Sequence, residues 1–253
     1  MEGGTFPKVG SLKLNLTGTL SYGQKDAKMG DGKKNRSTDV KPFDDTKLVP
    51  LEKIESKGPD MRVTLEVKMK EGRKHGKPMG LINGTTYVAP KTPTMLTMTA
   101  KNTTNPMDAG TYGRNVNAVT APYNSMVEMT ILNLSDDVHP FHMHGTKFQV
   151  VHRAYGTDGE MPKMPEENEA QKNPVRRDTV AVDGFGSVTI RFLASNPGAW
   201  FMHCHMDWHL SAGLAMVMVQ APEKAKEVLK VPSYVEEQCR VWKKQSDHNV
   251  RGP

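Results

Sequence analysis

The sequence predicts an all-β fold, a two-sheet sandwich or closed Greek-key barrel with one short C-terminal helix, on three observations. Val63, Leu65, Val67 and Met69 alternate with Arg62, Thr64, Glu66 and Lys68, the period-two pattern of a half-buried strand. Strand-like runs recur at 86–88, 95–99, 126–132, 147–151, 188–192 and 214–219. Gly, Pro and Asn punctuate the gaps between them, as in sandwiches and barrels built from many short strands.

Taken in order, residues 1–58 are rich in Lys, Gly, Asp and Thr, and beyond a short strand expected at 12–16 they read as irregular chain. Residues 59–222 carry the alternating runs and read as one β domain. The insert at 155–173 is charged, contains Pro162 and Pro165, and reads as a surface loop. In the last segment, 223–253, Ser233 and Glu236 form a capping box that starts a helix. Val235, Cys239 and Trp242 give that helix a single apolar stripe, so it reads as a docking element that carries Cys239 inward or toward another domain. The seventeen methionines fall mostly beside other apolar residues, as at Met216 and Met218, and read as core filling. Met143, Met202 and Met206 read as packing around the histidine runs described below.

A chain of 253 residues is long enough to bury a core. Its net charge of +6 is scattered rather than gathered with aromatics, which argues against nucleic acid as a partner. No apolar run is long enough to span a bilayer, and the start lacks the basic and apolar parts of a signal peptide. Yet glycosylation sequons stand at Asn15, Asn35, Asn83, Asn102 and Asn133, which point to a secreted or cell-surface protein. The two signs are reconciled if the natural N-terminus lies upstream of Met1.

Six of the nine histidines fall in two runs, His139-Pro140-Phe141-His142-Met143-His144-Gly145 and His203-Cys204-His205-Met206-Asp207-Trp208-His209. Side chains on a strand alternate faces. His203 and His205 therefore share one face and Cys204 takes the other, and His142 and His144 share a face likewise. The spacing predicts two metal sites on opposite sides of one strand. One would take Cys204, His139 and His209, with Leu214 over it; the other would take His142, His144, His203 and His205. A two-imidazole, one-thiolate site with a weak or absent axial ligand is what mononuclear blue copper uses, and a non-coordinating Leu214 would make its potential high. Zinc accepts the same donors, so by themselves the histidines leave zinc open.

The two runs, followed by Leu210-Ser211-Ala212-Gly213-Leu214, resemble the C-terminal copper signatures of the multicopper oxidases, of the fungal laccase and iron-transport ferroxidase type. The likeness extends to Asn83-Gly84-Thr85-Thr86-Tyr87-Val88-Ala89-Pro90, Arg176-Arg177-Asp178-Thr179 and Asn196-Pro197-Gly198-Ala199-Trp200, and so covers roughly residues 60 to 240. It implies a cupredoxin domain with the tail of a preceding domain before it. By that resemblance His139, Cys204 and His209 hold the type 1 copper, His142 serves the type 2 copper, and His144, His203 and His205 serve the type 3 pair. Asp207 matches an acidic position that relays protons. Thr146 stands where relatives often have a further, non-ligating histidine. A cysteine in the position of Cys239 is tied in relatives to their first domain.

The resemblance also implies four one-electron oxidations of a donor coupled to reduction of O2 to two waters. Half of the oxygen-reducing cluster comes, in the family, from an N-terminal domain, and His75, His152 and His248 are isolated here. The chain is thus expected to be a C-terminal part, incomplete without N-terminal cupredoxin domains supplied in cis or in trans. A standalone blue-copper electron-transfer or copper-binding protein is the alternative. For the donor, Fe(II) and a phenol both fit. The ferroxidases place an aspartate four residues before the first ligand histidine, where Ser135 stands; Asp136 and Asp137 are adjacent. Their iron-binding tyrosine has no clear counterpart, Met79 lying near that position.

Overall fold

The computed structural model describes residues 45–71, 76–156, 160 and 172–245. The expectations for the strand at 12–16, for Asn15 and Asn35, for His75 and His248, for most of the 155–173 insert and for the Trp242 side chain lie outside the described residues.

Two β-sheets pack face to face. The first contains β1 (Met61–Glu71), β2 (Pro78–Ile82), β4 (Met126–Asn133), β6 (Phe148–Ala154), β7 (Arg176–Arg177) and β9 (Ser187–Leu193), in the order β2-β1-β4-β9-β6-β7. The second contains β3 (Ala118–Ala121), β5 (His139–Met143), β8 (Thr179–Val182), β10 (Gly198–Cys204) and β11 (Ala215–Gln220), in the order β3-β11-β10-β5-β8. β1 pairs with β4, and β3 with β11, in parallel; the other pairings are antiparallel. The all-β cupredoxin-like expectation holds.

The alternation in β1 turns Leu65 and Val67 into the core and Thr64, Glu66 and Lys68 out. There they meet Met129, Ile131, Ile190 and Phe141, and full burial of each such side chain is worth about 1.5–3 kcal/mol. Met143, Met202, Met216 and Met218 are all in this core. β9 is buried on both faces. Its inner residues Val188, Ile190 and Phe192 join the core, while Arg191 turns outward yet is only 1% exposed, because the segment before β1 lies over it. The Arg191 guanidinium bonds Glu128 at 2.6 Å, the Ser56 hydroxyl at 3.0 Å and the Lys57 carbonyl at 3.2 Å. Gln149 of β6 likewise donates to the Ile54 carbonyl.

Two expected strands are corrected. Residues 95–99 belong to a helix, α1 (Thr94–Thr99). Met95 and Met98 are three apart, which puts them on opposite faces of a strand but on one face of a helical turn. Met98 is fully buried against Tyr112, Val217 and Val219, and the Pro93 carbonyl accepts from Leu96 and Thr97 to start the turn. Residues 86–88 join no ladder: Tyr87 N donates to Gly213 O and Val88 N to Asn115 O, one bond to the turn before β11 and one to a short 3-10 helix, Arg114–Val116. The remaining α-helices among the described residues are α2 (Asp207–Ser211), α3 (Pro222–Val228) and α4 (Ser233–Gln245), the last where the capping box predicts it. Cys239 is half-buried on α4, in a cleft with Val235, Pro93 and Leu96. Among the described residues no helix is long and apolar enough to cross a membrane.

Candidate metal centre

The site is made where β5 and β10 run side by side. Their register sets His203 opposite His142, Met202 opposite Met143 and Cys204 opposite Phe141. The pleat then sorts the side chains as the spacing predicts: Cys204 is fully buried on the core side, and His205 is exposed on the other. After Cys204 the chain turns through α2, which returns His209 to the thiol. Cys204 N donates to Leu214 O at 3.1 Å and Leu214 N to His209 O at 3.0 Å, which closes this turn.

Cys204 Sγ lies 3.3 Å from His209 Nδ1 and 3.7 Å from His139 Nδ1, and the two Nδ1 atoms are 3.0 Å apart. All three residues are buried. Donors each about 2.0–2.3 Å from one metal ion stand at separations of this kind, so the trio fits a thiolate–imidazole metal site. The opposite ring atoms, Nε2 of His139 and of His209, are buried without a hydrogen-bond partner. Burial, reinforced by the neighbouring His209, lowers the His139 pKa to about 4, against an opposing pull from Asp136. Burial lowers His209 too, against Asp137. Burial pushes the Cys204 thiol up to about 11, partly offset by a bond from the Met206 backbone. At neutral pH the imidazoles are therefore ready donors, and the thiol gives up a proton when a metal takes its place. Leu214 is fully buried and offers no donor atom. Gly80 leaves room for it, since a Cβ there would run into the Leu214 backbone and Cβ.

On the other face, His144 Nε2 and His203 Nε2 are 3.2 Å apart. Ring centroids are 4.8 Å apart for His142 and His144, 5.5 Å for His203 and His205, and 5.8 Å for His142 and His205. The four expected imidazoles are thus brought together. Two are oriented by bonds at Nδ1: His142 to Asp178 O and Thr179 Oγ1, both at 3.0 Å, and His203 to Cys204 O at 3.0 Å. Such bonds fix the ring and leave the other nitrogen for a metal. Burial lowers the pKa of His203 and of His144, so both favour the neutral, ligating form. The turn after His144 is locked by Gly145, at φ 61°, where a Cβ would strike the Trp200 ring; Trp200 Nε1 bonds Asn196 O, and Asn196 Nδ2 bonds Gly145 O.

Asp207 is exposed at the first turn of α2, and its carbonyl accepts from Ser211. Asp136 and Asp137 are exposed on the β4–β5 loop, whereas Ser135 is buried, its Oγ accepting from Met69 N at 2.8 Å. The roles of Asp178, Thr179, Asn196 and Trp200 as supports of the histidines are visible in the fold only; in the sequence they are short polar and aromatic motifs without an assigned task. Of the sequon asparagines, Asn83 and Asn102 are exposed, and Asn133 is fully buried with no room for a sugar.

Comparison with known proteins agrees with this geometry. Residues 87–224 match the family model described as multicopper oxidase. Iron multicopper oxidase fer1 of Mycosarcoma maydis is 37% identical over 233 residues, which cover 90% of this chain and 36% of that protein. Iron transport multicopper oxidase FET3 of Kluyveromyces lactis is 38% identical over 226 residues, 84% of this chain and 34% of that one. The crystal structure of Fet3p, a multicopper oxidase that functions in iron import, superposes with a TM-score of 0.72 at 30% identity, over 90% of this chain and 42% of that one. A laccase from Botrytis aclada superposes with a TM-score of 0.62 at 26% identity, over 81% of this chain and 36% of the laccase. The chain spans about a third of the length of the curated relatives it matches. The chain belongs to the multicopper oxidase family.

Proposed function

We propose that this chain is the C-terminal domain of an oxidase that withdraws electrons singly from a donor and passes them to O2. The observation that carries this reading is the two-sided construction of β10, with a buried thiolate–imidazole trio on one side and four imidazoles on the other. His139, Cys204 and His209 would hold a type 1 copper, and the buried Leu214 side chain would offer it no further donor. His142 would serve a type 2 copper, and His144, His203 and His205 a type 3 pair. Copper held by thiolate and imidazole supplies reversible one-electron chemistry. The chain's own residues do the rest. Burial of the trio keeps water out, and the backbone from Cys204 to His203 and His205 is the shortest covalent path between the two faces. Asp207, exposed two residues after His205, would hand protons to the oxygen side.

Residues 59–222 would form the domain, 1–58 the end of a preceding domain and its linker, and 223–253 a docking tail. The missing imidazoles would come from N-terminal domains in cis or in trans. Asp136 and Asp137 favour Fe(II) as the donor, since exposed carboxylates suit a hard cation, and the iron oxidases among the relatives point the same way. The exposed sequons at Asn83 and Asn102 fit a secreted or cell-surface glycoprotein. A second reading, a standalone one-copper electron-transfer protein, is favoured by the completeness of the trio within this chain.

Copper stoichiometry and the visible spectrum of the loaded chain test the proposal. We expect about one copper per chain with an intense thiolate-to-copper band, both lost in Cys204→Ser. Added N-terminal domains should raise the count to about four with O2 uptake; a count that stays at one supports the electron-transfer reading. Loading without colour would sink both and return the site to zinc.

A further inference from the structure

The fully buried sequon residue Asn133 has no part in the metal-ligand set, yet its carboxamide is committed at both ends. Nδ2 donates to Asp137 O at 2.7 Å, to Asp183 O at 3.0 Å and toward Val182 O at 3.4 Å, while Oδ1 accepts from Ser135 N at 3.0 Å. One side chain thus ties the β4–β5 loop to the end of β8, the strand whose Val182 pairs with His139. The loop is held from two further sides. Ser135 Oγ accepts from Met69 N, and Ser135 O accepts from Phe185 N at 2.8 Å. Gly184 leaves just enough room for it, because a Cβ there would run into the Asp136 carbonyl. What this loop presents to solvent is Asp136, Asp137 and Val138, the last 45% exposed, immediately before the ligand His139. Asp137 is two residues and Asp136 three residues before His139, so the length of the chain alone keeps both carboxylates close to that imidazole.

We propose that Asn133 is a positioning residue of the metal centre: its carboxamide fixes the β4–β5 loop so that the Asp136 and Asp137 carboxylates stand at the donor-facing side of the His139, Cys204 and His209 site. The inference rests on the copper reading above and adds how the two charges are held there. A carboxylate near a ligand stabilises the oxidised metal more than the reduced one. Releasing the loop lets both charges drift into solvent, where they are screened within about 8–10 Å, so the copper becomes easier to reduce.

The test is the midpoint potential of the copper-loaded chain, with copper content and the blue band recorded alongside. A wild-type chain that takes no blue copper fails the copper reading, whatever Asn133 does. Given a blue wild type, Asn133→Ala should keep about one copper and raise the potential. Gly184→Ala leaves Asn133 intact but pushes the loop from the other side, and should raise it as well. In an Asp136→Asn, Asp137→Asn background, neither change should move the potential further. An unchanged potential in both single variants overturns the proposal. So does a shift that persists in the neutralised background, or loss of copper from both variants, since each makes Asn133 a residue of the fold alone.

Discussion

Ser135 and its two acidic neighbours show how finely one position decides chemistry. By the resemblance to the ferroxidases Ser135 stands where an iron-binding aspartate is expected, and its identity is legible in the sequence. That it is buried and spent on the Met69 amide is not, because the bond spans sixty-six residues. The exposed carboxylates beside it, Asp136 and Asp137, are therefore the groups a cation meets on this loop. We expect the Asp136→Asn, Asp137→Asn variant of the copper-loaded chain to bleach more slowly with Fe(II), on the order of ten-fold at low salt, and to bleach with a bulky neutral phenol at least as fast as the wild type. Stopped-flow absorption checks both, and an unchanged Fe(II) rate removes the acidic pair from donor recognition. The candidate metal ligands were legible because alternate-face geometry is a local rule and the histidine runs group them; for His209 the structure adds the means, a helical turn that brings it back to the Cys204 thiol.

Among the elements, the long strands could be read and the short ones could not. β1 and β4 show their alternation over many residues, whereas Pro78–Ile82, Ala118–Ala121 and Arg176–Arg177 are too brief to show a period. α3 did carry a signal, Pro222 at its first position. The stretch before β1 looks featureless in sequence, yet its polar atoms are what cover the outer face of the first sheet. Asp45 meets Arg153 of β6 at 3.0 Å and Arg177 of β7 at 2.7 Å, and the bond from Arg153 leads in holding its carboxyl below the usual 3.8. A depressed folded pKa stabilises above the unfolded value of about 3.9 and is lost as pH falls through the folded one. Asp45→Asn should therefore lower stability at pH 7 by up to about 1 kcal/mol, the pair being partly exposed. The gap to wild type should close below about pH 4. Urea midpoints at pH 7 and pH 3 decide it; a gap that does not change with pH would mean the charge is idle.

At the scale of the whole molecule, fold and metal chemistry are one construction, since the same β5–β10 register that closes the second sheet also sorts thiol from imidazoles. The motif made that much readable, while the supports at Asn133, Thr179 and Trp200 depend on contacts between distant strands. His139 is separated from Cys204 by 65 positions and from His209 by 70. An ion gripped by all three therefore acts as a crosslink, closing a long loop whose freedom the unfolded chain would otherwise enjoy. The copper-loaded chain should melt well above the metal-free one, by a margin that grows with free copper and disappears in Cys204→Ser; equal melting temperatures would mean that the folded chain holds the ion no better than the unfolded one. On this view the proposed copper centre doubles as a rivet, and a shortage of copper would cost the domain its fold as well as its metal.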